Sequence, residues 1–211
     1  MTDRSIFIHP LAIASVCDQF TKVSSGGTKL SAESPTLGLL FGTNQANKLS
    51  IFDAEDVFYS IITENGNIEG IFIDNEIENK INLITAVYPS YRLLGWYTAG
   101  NEISSYHIKT NKSFIKYCDN PILLLLNPFQ SNDIDTLPLS VYEMTSNQSA
   151  LVECTFTLDS DISERIAIDA ITKYVSQSNN NNSYLDSYVT SIHILEDNID
   201  VIVTELEKYL T

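Results

Sequence analysis

Basic residues are scarce in this 211-residue chain: 12 Lys and Arg stand against 27 Asp and Glu, a formal charge of −15. That shortage excludes a phosphate-binding face as the main activity, because nucleic-acid affinity rests on clustered Lys and Arg. It equally excludes attachment to an anionic membrane surface. Cysteine is rarer still. Cys17, Cys118 and Cys154 are odd in number, far apart and without a CxxC pair, so neither a zinc knuckle nor a redox motif is written here. Reduced thiols in a soluble intracellular protein are the expectation. Long apolar runs are missing too. The longest, Ile122 to Leu126, is far too short to span a bilayer. The N-terminal MTDRSIFIHP has no basic stretch leading into a long apolar one, so no secretory leader is expected.

What is present is a foldable composition, 44% hydrophobic and 18% charged. Ser5 to Ile8 reads as a short strand, and Pro10 suits the first turn of a helix over residues 10–22 with Leu11, Ile13, Val16 and Phe20 on one broad face. Two β-rich runs, 36–42 and 49–62, read as a hairpin whose first strand lacks a polar face and is expected to be central. Ile73, Ile77, Ile81, Ile84 and Val87 repeat every three or four residues and predict a second helix. A strand over 92–97 is expected to lead into a loop, Thr98 to Asn101. A helix over 104–117 follows, then a buried strand, Ile122 to Leu126. Two further strands, 139–144 and 150–158, precede a helix over 161–175 with Ser160 or Asp161 as N-cap and Glu164 in its first turn.

Residues 176–183 (SQSNNNNS) break the composition and read as a linker, because Asn and Ser cannot pack a core. Beyond it, Leu195, Ile199, Ile202 and Leu206 belong to a 3,4-spaced stripe over 184–211, a helix of about 40 Å at 1.5 Å per residue. Such a stripe must be covered. It either folds back on the domain or joins helices of another chain, and the second is the favoured reading.

Residue chemistry alone shows no active site. His9, His107 and His193 fall in different elements with no HxH or HExxH spacing. His9 reads as a structural hydrogen-bonding residue, His193 as a surface or interface group, and His107 as a lone imidazole near a loop. No GxSxG elbow or GxxxxGK cradle occurs, and the 66–70 glycine segment reads as a turn. The acidic pairs Glu76/Glu78 and Asp159/Asp161 read as solvated faces.

Several segments nevertheless stand in a familiar order. They are Ile8-His9-Pro10-Leu11, Leu37-Gly38-Leu39-Leu40-Phe41-Gly42, Leu94-Gly95-Trp96-Tyr97, Leu137-Pro138-Leu139-Ser140-Val141-Tyr142 and Glu164-Arg165-Ile166-Ala167-Ile168-Asp169. Together they resemble the MPN domain of the ubiquitin-related regulatory complexes. The resemblance implies an α/β fold, a cytidine-deaminase-like α-β-α domain with a mixed sheet over residues 1–175, followed by the linker and a C-terminal helix. Catalytic members are zinc isopeptidases in which a metal activates water and a glutamate serves as base. Their pattern resembles a strand glutamate, His-x-His after Gly-Trp-Tyr, then Ser-x-x-Asp. Mapped onto this chain, Pro35 stands near the glutamate position, with Glu33 two residues off. Thr98 and Gly100 stand at the two histidines, and His107 near the aspartate.

A hydroxyl and a glycine hydrogen cannot hold zinc, so the resemblance implies a catalytically silent member with no cofactor. Silent members occur in the COP-9 signalosome, in translation initiation factor three and in the proteasome lid, and the first fits best. It implies a scaffold that pairs with the zinc-bearing MPN subunit removing the ubiquitin-like modifier Nedd from cullin ligases, in cytoplasm and nucleus. Its expected partner surfaces are Ile13 and Phe20 on the first helix, Ile77, Ile81 and Ile84 on the second, and the stripe Leu195, Ile199, Ile202 and Leu206 docked among neighbouring subunits. The resemblance also implies a longer C-terminal helical region than the 184–211 segment supplies.

Overall fold

Strand pairing begins at Ser5, where an alternating apolar run meets the parallel edge of a second strand. In the computed structural model, described over residues 4–25, 36–45, 47–64, 67–73, 76–128, 137–162 and 164–170, the chain divides into two units, 1–159 and 160–211. The first unit runs β1 (Ser5–Ile8), α1 (Pro10–Ser25), β2 (Leu37–Gln45), β3 (Lys48–Asp56), β4 (Tyr59–Glu64), β5 (Asn67–Ile73), α2 (Glu76–Val87) and β6 (Arg92–Ala99). It continues through α3 (Ser105–Phe114), β7 (Ile122–Leu126), β8 (Leu139–Met144), β9 (Leu151–Cys154) and β10 (Phe156–Leu158).

Eight strands form one mixed sheet in the order β10-β1-β3-β2-β6-β7-β8-β9, and β4 and β5 form a separate ribbon. The pairs β1–β10, β1–β3 and β6–β7 are parallel, and the others in the large sheet are antiparallel. Only Thr155 separates β9 from β10, which lie at opposite edges. Two residues of chain reach about 7 Å at most, so the edges must meet and the sheet curls almost closed. An ion pair from Arg4, just ahead of β1, to Glu143 on β8 (3.4 Å) bridges the same closure.

The period-2 alternation of β2, and of β6 on either side of its bulge at Leu94, divides their side chains between two cores. Leu40, Leu94 and Tyr97 join Ile6, Ile8, Leu49, Ile51, Ile122, Leu124 and Val141 on the face that receives Ala12 and Val16 of α1. Leu37, Leu39, Phe41, Leu93 and Trp96 face the other way and pack with Ile77 and Ile84 of α2, Phe114 of α3 and Ile71 of β5. Layered α-β-α architecture with a mixed sheet follows from that division.

α1 starts as its proline dictates: the His9 carbonyl accepts from the N–H groups of Ala12 (3.1 Å) and Ile13 (3.4 Å). In the second unit, the Asp161 carbonyl accepts the Arg165 N–H (3.0 Å) and the Asp161 N–H donates to Glu164 (3.0 Å). Asp161 is therefore the N-cap of the helix whose residues 164–170 are described. The division between units falls ahead of this helix, which sequence reading placed with the preceding domain. The linker 176–183 and the segment 184–211 lie outside the described residues.

Five expectations are corrected. The run 49–62 is two strands, because β2 begins at Leu37 and its Gly38 pairs with Asp56, so among the described residues β3 has no neighbour on that side beyond that point. The chain leaves the sheet and satisfies its backbone in the β4–β5 ribbon instead. For the same reason the 66–70 segment is not a simple turn, since β5 runs from Asn67 through Ile73, and α2 starts at Glu76 rather than Ile73. Thr98 and Ala99 are strand, not loop, because they pair in parallel with Leu125 and Leu126 of β7. The run 150–158 breaks into β9 and β10, one at each edge.

Candidate functional site: the end of β6 beneath α3

Three side chains of α3 meet the sole tryptophan. Trp96 is fully buried on the α3 side of β6, stacked on Phe114 (centroids 5.7 Å) and on His107 (6.1 Å). Its indole N–H donates to Asn111 Oδ1 (2.8 Å), and Asn111 Nδ2 donates to the Pro121 carbonyl (3.3 Å), so the amide ties β6 to the entry of β7. His107, Thr110, Asn111 and Phe114 are the buried residues of α3. Their 3,4 spacing follows from one face of the helix resting on the sheet.

His107 is 1% exposed, and the Ser104 N–H donates to its Nδ1 (2.8 Å). It thus takes the place of the glutamate in a capping box, returning an acceptor to the residue ahead of the helix. Accepting at Nδ1 puts the neutral ring's proton on Nε2. Burial pulls the imidazole pKa down from its usual 6.5 to about 4. His107 Nε2, Thr98 Oγ1 and Thr110 Oγ1 are all buried with no hydrogen-bond partner among the described residues.

The expected ligand positions can now be tested as donors. Thr98 is fully buried on the strand face it shares with Trp96 and offers a neutral hydroxyl. Gly100, just past the strand, has its N–H bonded to the Leu126 carbonyl (2.9 Å), and an added Cβ would meet only Leu125 Cδ1 at 3.8 Å. There is room for a side chain at this position and none is present. One imidazole and two hydroxyls, without a carboxylate or thiolate, are not a zinc donor set. Among the described residues no three His, Cys, Asp or Glu side chains are close enough to hold a metal ion. Thr98, Gly100 and His107, the mapped positions among the described residues, do not fit zinc. Pro35 and Glu33 lie outside the described residues.

Asn111 escaped the sequence reading. The available signal was its place one turn beyond His107 on the same buried face of α3. Replacing it with alanine leaves the Trp96 N–H and the Pro121 carbonyl unpaired in the core. The expected loss is about 2–4 kcal/mol of unfolding free energy, measured by urea denaturation followed through the fluorescence of Trp96.

Residues 2–120 match the family described as JAB1/Mov34/MPN/PAD-1 ubiquitin protease. The chain belongs to that family. Relatives of this MPN chain include proteins named COP9 signalosome complex subunit 6 from Oryza sativa subsp. japonica, 25% identical over 96% of this chain and 65% of the relative, and from Dictyostelium discoideum, 22% identical over 96% and 64%. A third, COP9 signalosome complex subunit 6a of Arabidopsis thaliana, is 23% identical over 88% of this chain and 64% of its own length. The chain thus spans just under two thirds of the length of the curated relatives it matches.

The expected partner surfaces fare unequally. Ile77 (0% exposed) and Ile84 (9%) are closed inside the domain, and Ile81 packs against the same cluster. They face the sheet because a helix lying on a sheet turns its apolar stripe inward. Ile13 and Phe20 pack against the opposite core. Ile13, Phe20 and Ile81 are half-buried, so part of each side chain stays open. The outer side of α2 carries Leu83 and Val87 instead, followed by Tyr88, all exposed. Leu195, Ile199, Ile202 and Leu206 lie outside the described residues.

Proposed function

We propose that the chain is a non-catalytic MPN scaffold of a COP9 signalosome, in the place of subunit 6. In this reading it pairs with the zinc-bearing MPN subunit that removes the ubiquitin-like modifier Nedd from cullin ligases, and it works in cytoplasm and nucleus. The observation that carries the reading is the donor set at the end of β6, a buried hydroxyl, a glycine and one tied imidazole, in a chain aligned over most of its length with proteins named subunit 6. Such a site can neither acidify a water nor supply a base. Its contribution is positional: a rigid MPN domain that holds a catalytic neighbour and its substrate in register. The exposed side of α2, with Leu83 and Val87, is the surface offered to that neighbour. The stripe Leu195, Ile199, Ile202 and Leu206 docks among helices of other subunits.

Affinity purification of the tagged full chain, with mass spectrometry of what accompanies it, is the test. Signalosome subunits and cullins are expected to co-purify, and Ile199→Glu with Ile202→Glu is expected to lose the other subunits without lowering the melting temperature of the MPN domain. Small ribosomal subunits in their place would assign the chain to translation initiation factor three. Stoichiometric zinc in the purified chain would overturn the pseudoenzyme reading.

A further inference from the structure

On the opposite face of the sheet, Tyr97 does something its sequence position does not announce. It sits on β6, yet its ring lies across the neighbouring strand β2, because the residue beneath it is Gly38. A Cβ on Gly38 would stand 2.3 Å from the Tyr97 ring carbons Cε1 and Cζ and 2.4 Å from the Glu55 carbonyl oxygen. Gly38 pairs with Tyr97 on one side and Asp56 on the other. The missing side chain is a groove through which the phenol reaches β3. Tyr97 is 1% exposed, and its hydroxyl is buried without a hydrogen-bond partner among the described residues. An unsatisfied buried hydroxyl is costly, and here the fold has gone out of its way to place one.

The phenol is the floor of a pocket of about 280 Å³ between α1 and β3. Its walls carry three carboxylates, Asp18, Glu55 and Asp56, with the neutral acceptors of Ser15 and Gln19 beside them. Two lysines stand at its rim. Lys80 of α2 bonds Asp56 (2.7 Å) and Glu55 (3.1 Å), and Lys22 pairs with Asp18 one turn away on α1. The second pair is exposed on both sides, so opening it costs little. Burial first, and then the neighbouring carboxylates, hold the Tyr97 phenol well above its ordinary pKa, and it stays neutral. A neutral phenol keeps lone pairs to offer.

We propose that Tyr97, Asp18 and Glu55 form a receptor for an arginine side chain of a partner protein. The occupant must bring donors, because the carboxylates of Asp18, Glu55 and Asp56 can only accept. It must be cationic, because three carboxylates meet two lysines there. A metal ion does not suit, since the described residues bring no three ligating groups to one point. The acceptors are spread over α1, β3 and β6, which matches the five N–H groups of a planar guanidinium better than the three of an ammonium. Guanidinium is also the more weakly hydrated cation, so it gives up less on reaching a buried phenol. The receptor lies on the face away from the Trp96 site and does not depend on which assembly the chain joins.

The test uses the full chain with ¹³C-labelled tyrosine rings, the Tyr97 signal being assigned by its loss in Tyr97→Phe. Titration with N-acetyl-arginine amide is expected to move that signal to saturation, with a dissociation constant on the order of 1–10 mM. The neutral isostere N-acetyl-citrulline amide is expected to bind at least about tenfold more weakly, and N-acetyl-lysine amide several-fold more weakly, roughly the difference between charge-assisted bidentate and simpler pairing. Asp18→Asn, an exposed change that leaves the fold alone, is expected to weaken arginine binding severalfold at an unchanged melting temperature. A Tyr97 signal unmoved by arginine on the order of 100 mM, or moved equally by citrulline or by lysine, would overturn the assignment.

Discussion

Gly95→Ala is expected to lower the unfolding free energy of the MPN domain by about 3–5 kcal/mol, a large part of the roughly 5–15 kcal/mol available to a domain of this size. Gly95 stands where β6 bulges. The β2 register steps from Leu40 opposite Gly95 to Phe41 opposite Leu93, so Leu94 is the extra residue. On its other side Gly95 pairs with Ile122 of β7. An added Cβ would lie 2.0 Å from the Ile122 carbonyl oxygen and 2.6 Å from its nitrogen, both backbone atoms that cannot turn aside. The strands would have to separate at the centre of the sheet, with the loss of hydrogen bonds and of packing around Trp96. Urea denaturation measures the loss, with Gly70→Ala as control, because a Cβ there meets nothing within 4 Å. A loss for Gly95→Ala no larger than that of the control would show that β6 and β7 can part at no cost.

The second large effect is on pH. His107 is neutral when folded, with its pKa held at about 4 against 6.5 for the ordinary imidazole. The unfolded chain therefore takes up a proton, as pH falls below 6.5, that the folded chain refuses until about 4. Stability that is fully present above pH 6.5 is lost through that window. At about 1.4 kcal/mol per pH unit the loss amounts to about 2–3 kcal/mol. His107→Gln is expected to flatten this part of the profile, because its amide oxygen can accept the Ser104 N–H and does not titrate. Melting temperatures of the two proteins at half-unit steps from pH 7 to pH 4 make the comparison. Parallel profiles would mean that the acid sensitivity arises elsewhere.

Both effects come from residues that a reading of the sequence treats lightly. Gly95 was visible as part of Leu-Gly-Trp-Tyr, and its physical duty appears only when Ile122, 27 positions later, is set against it. His107 was visible as a histidine without partners. Its role as the acceptor at the start of α3, and the burial that keeps it neutral, need the helix to be laid on the sheet.

Local chemistry was sufficient for much else. Pro10 starts α1, and the five apolar residues of β7 are buried throughout. Thr98 and Gly100 are identities, and their inability to serve as zinc ligands is a matter of which atoms they carry. Periodicity also found α2, because a 3.6-residue repeat is a property of a dozen neighbouring positions.

What periodicity could not say is which side of that repeat is spoken for. Ile77 and Ile84 form a stripe that suits a partner's helix as well as the chain's own sheet, and only the sheet residues packed against them decide it. The departure of β4 from the sheet, the parting of β9 and β10 to opposite edges and the reach of Tyr97 over Gly38 are of the same kind. Each depends on what lies beside a residue in space, and neighbours across a sheet are set by the pairing of segments distant in the chain.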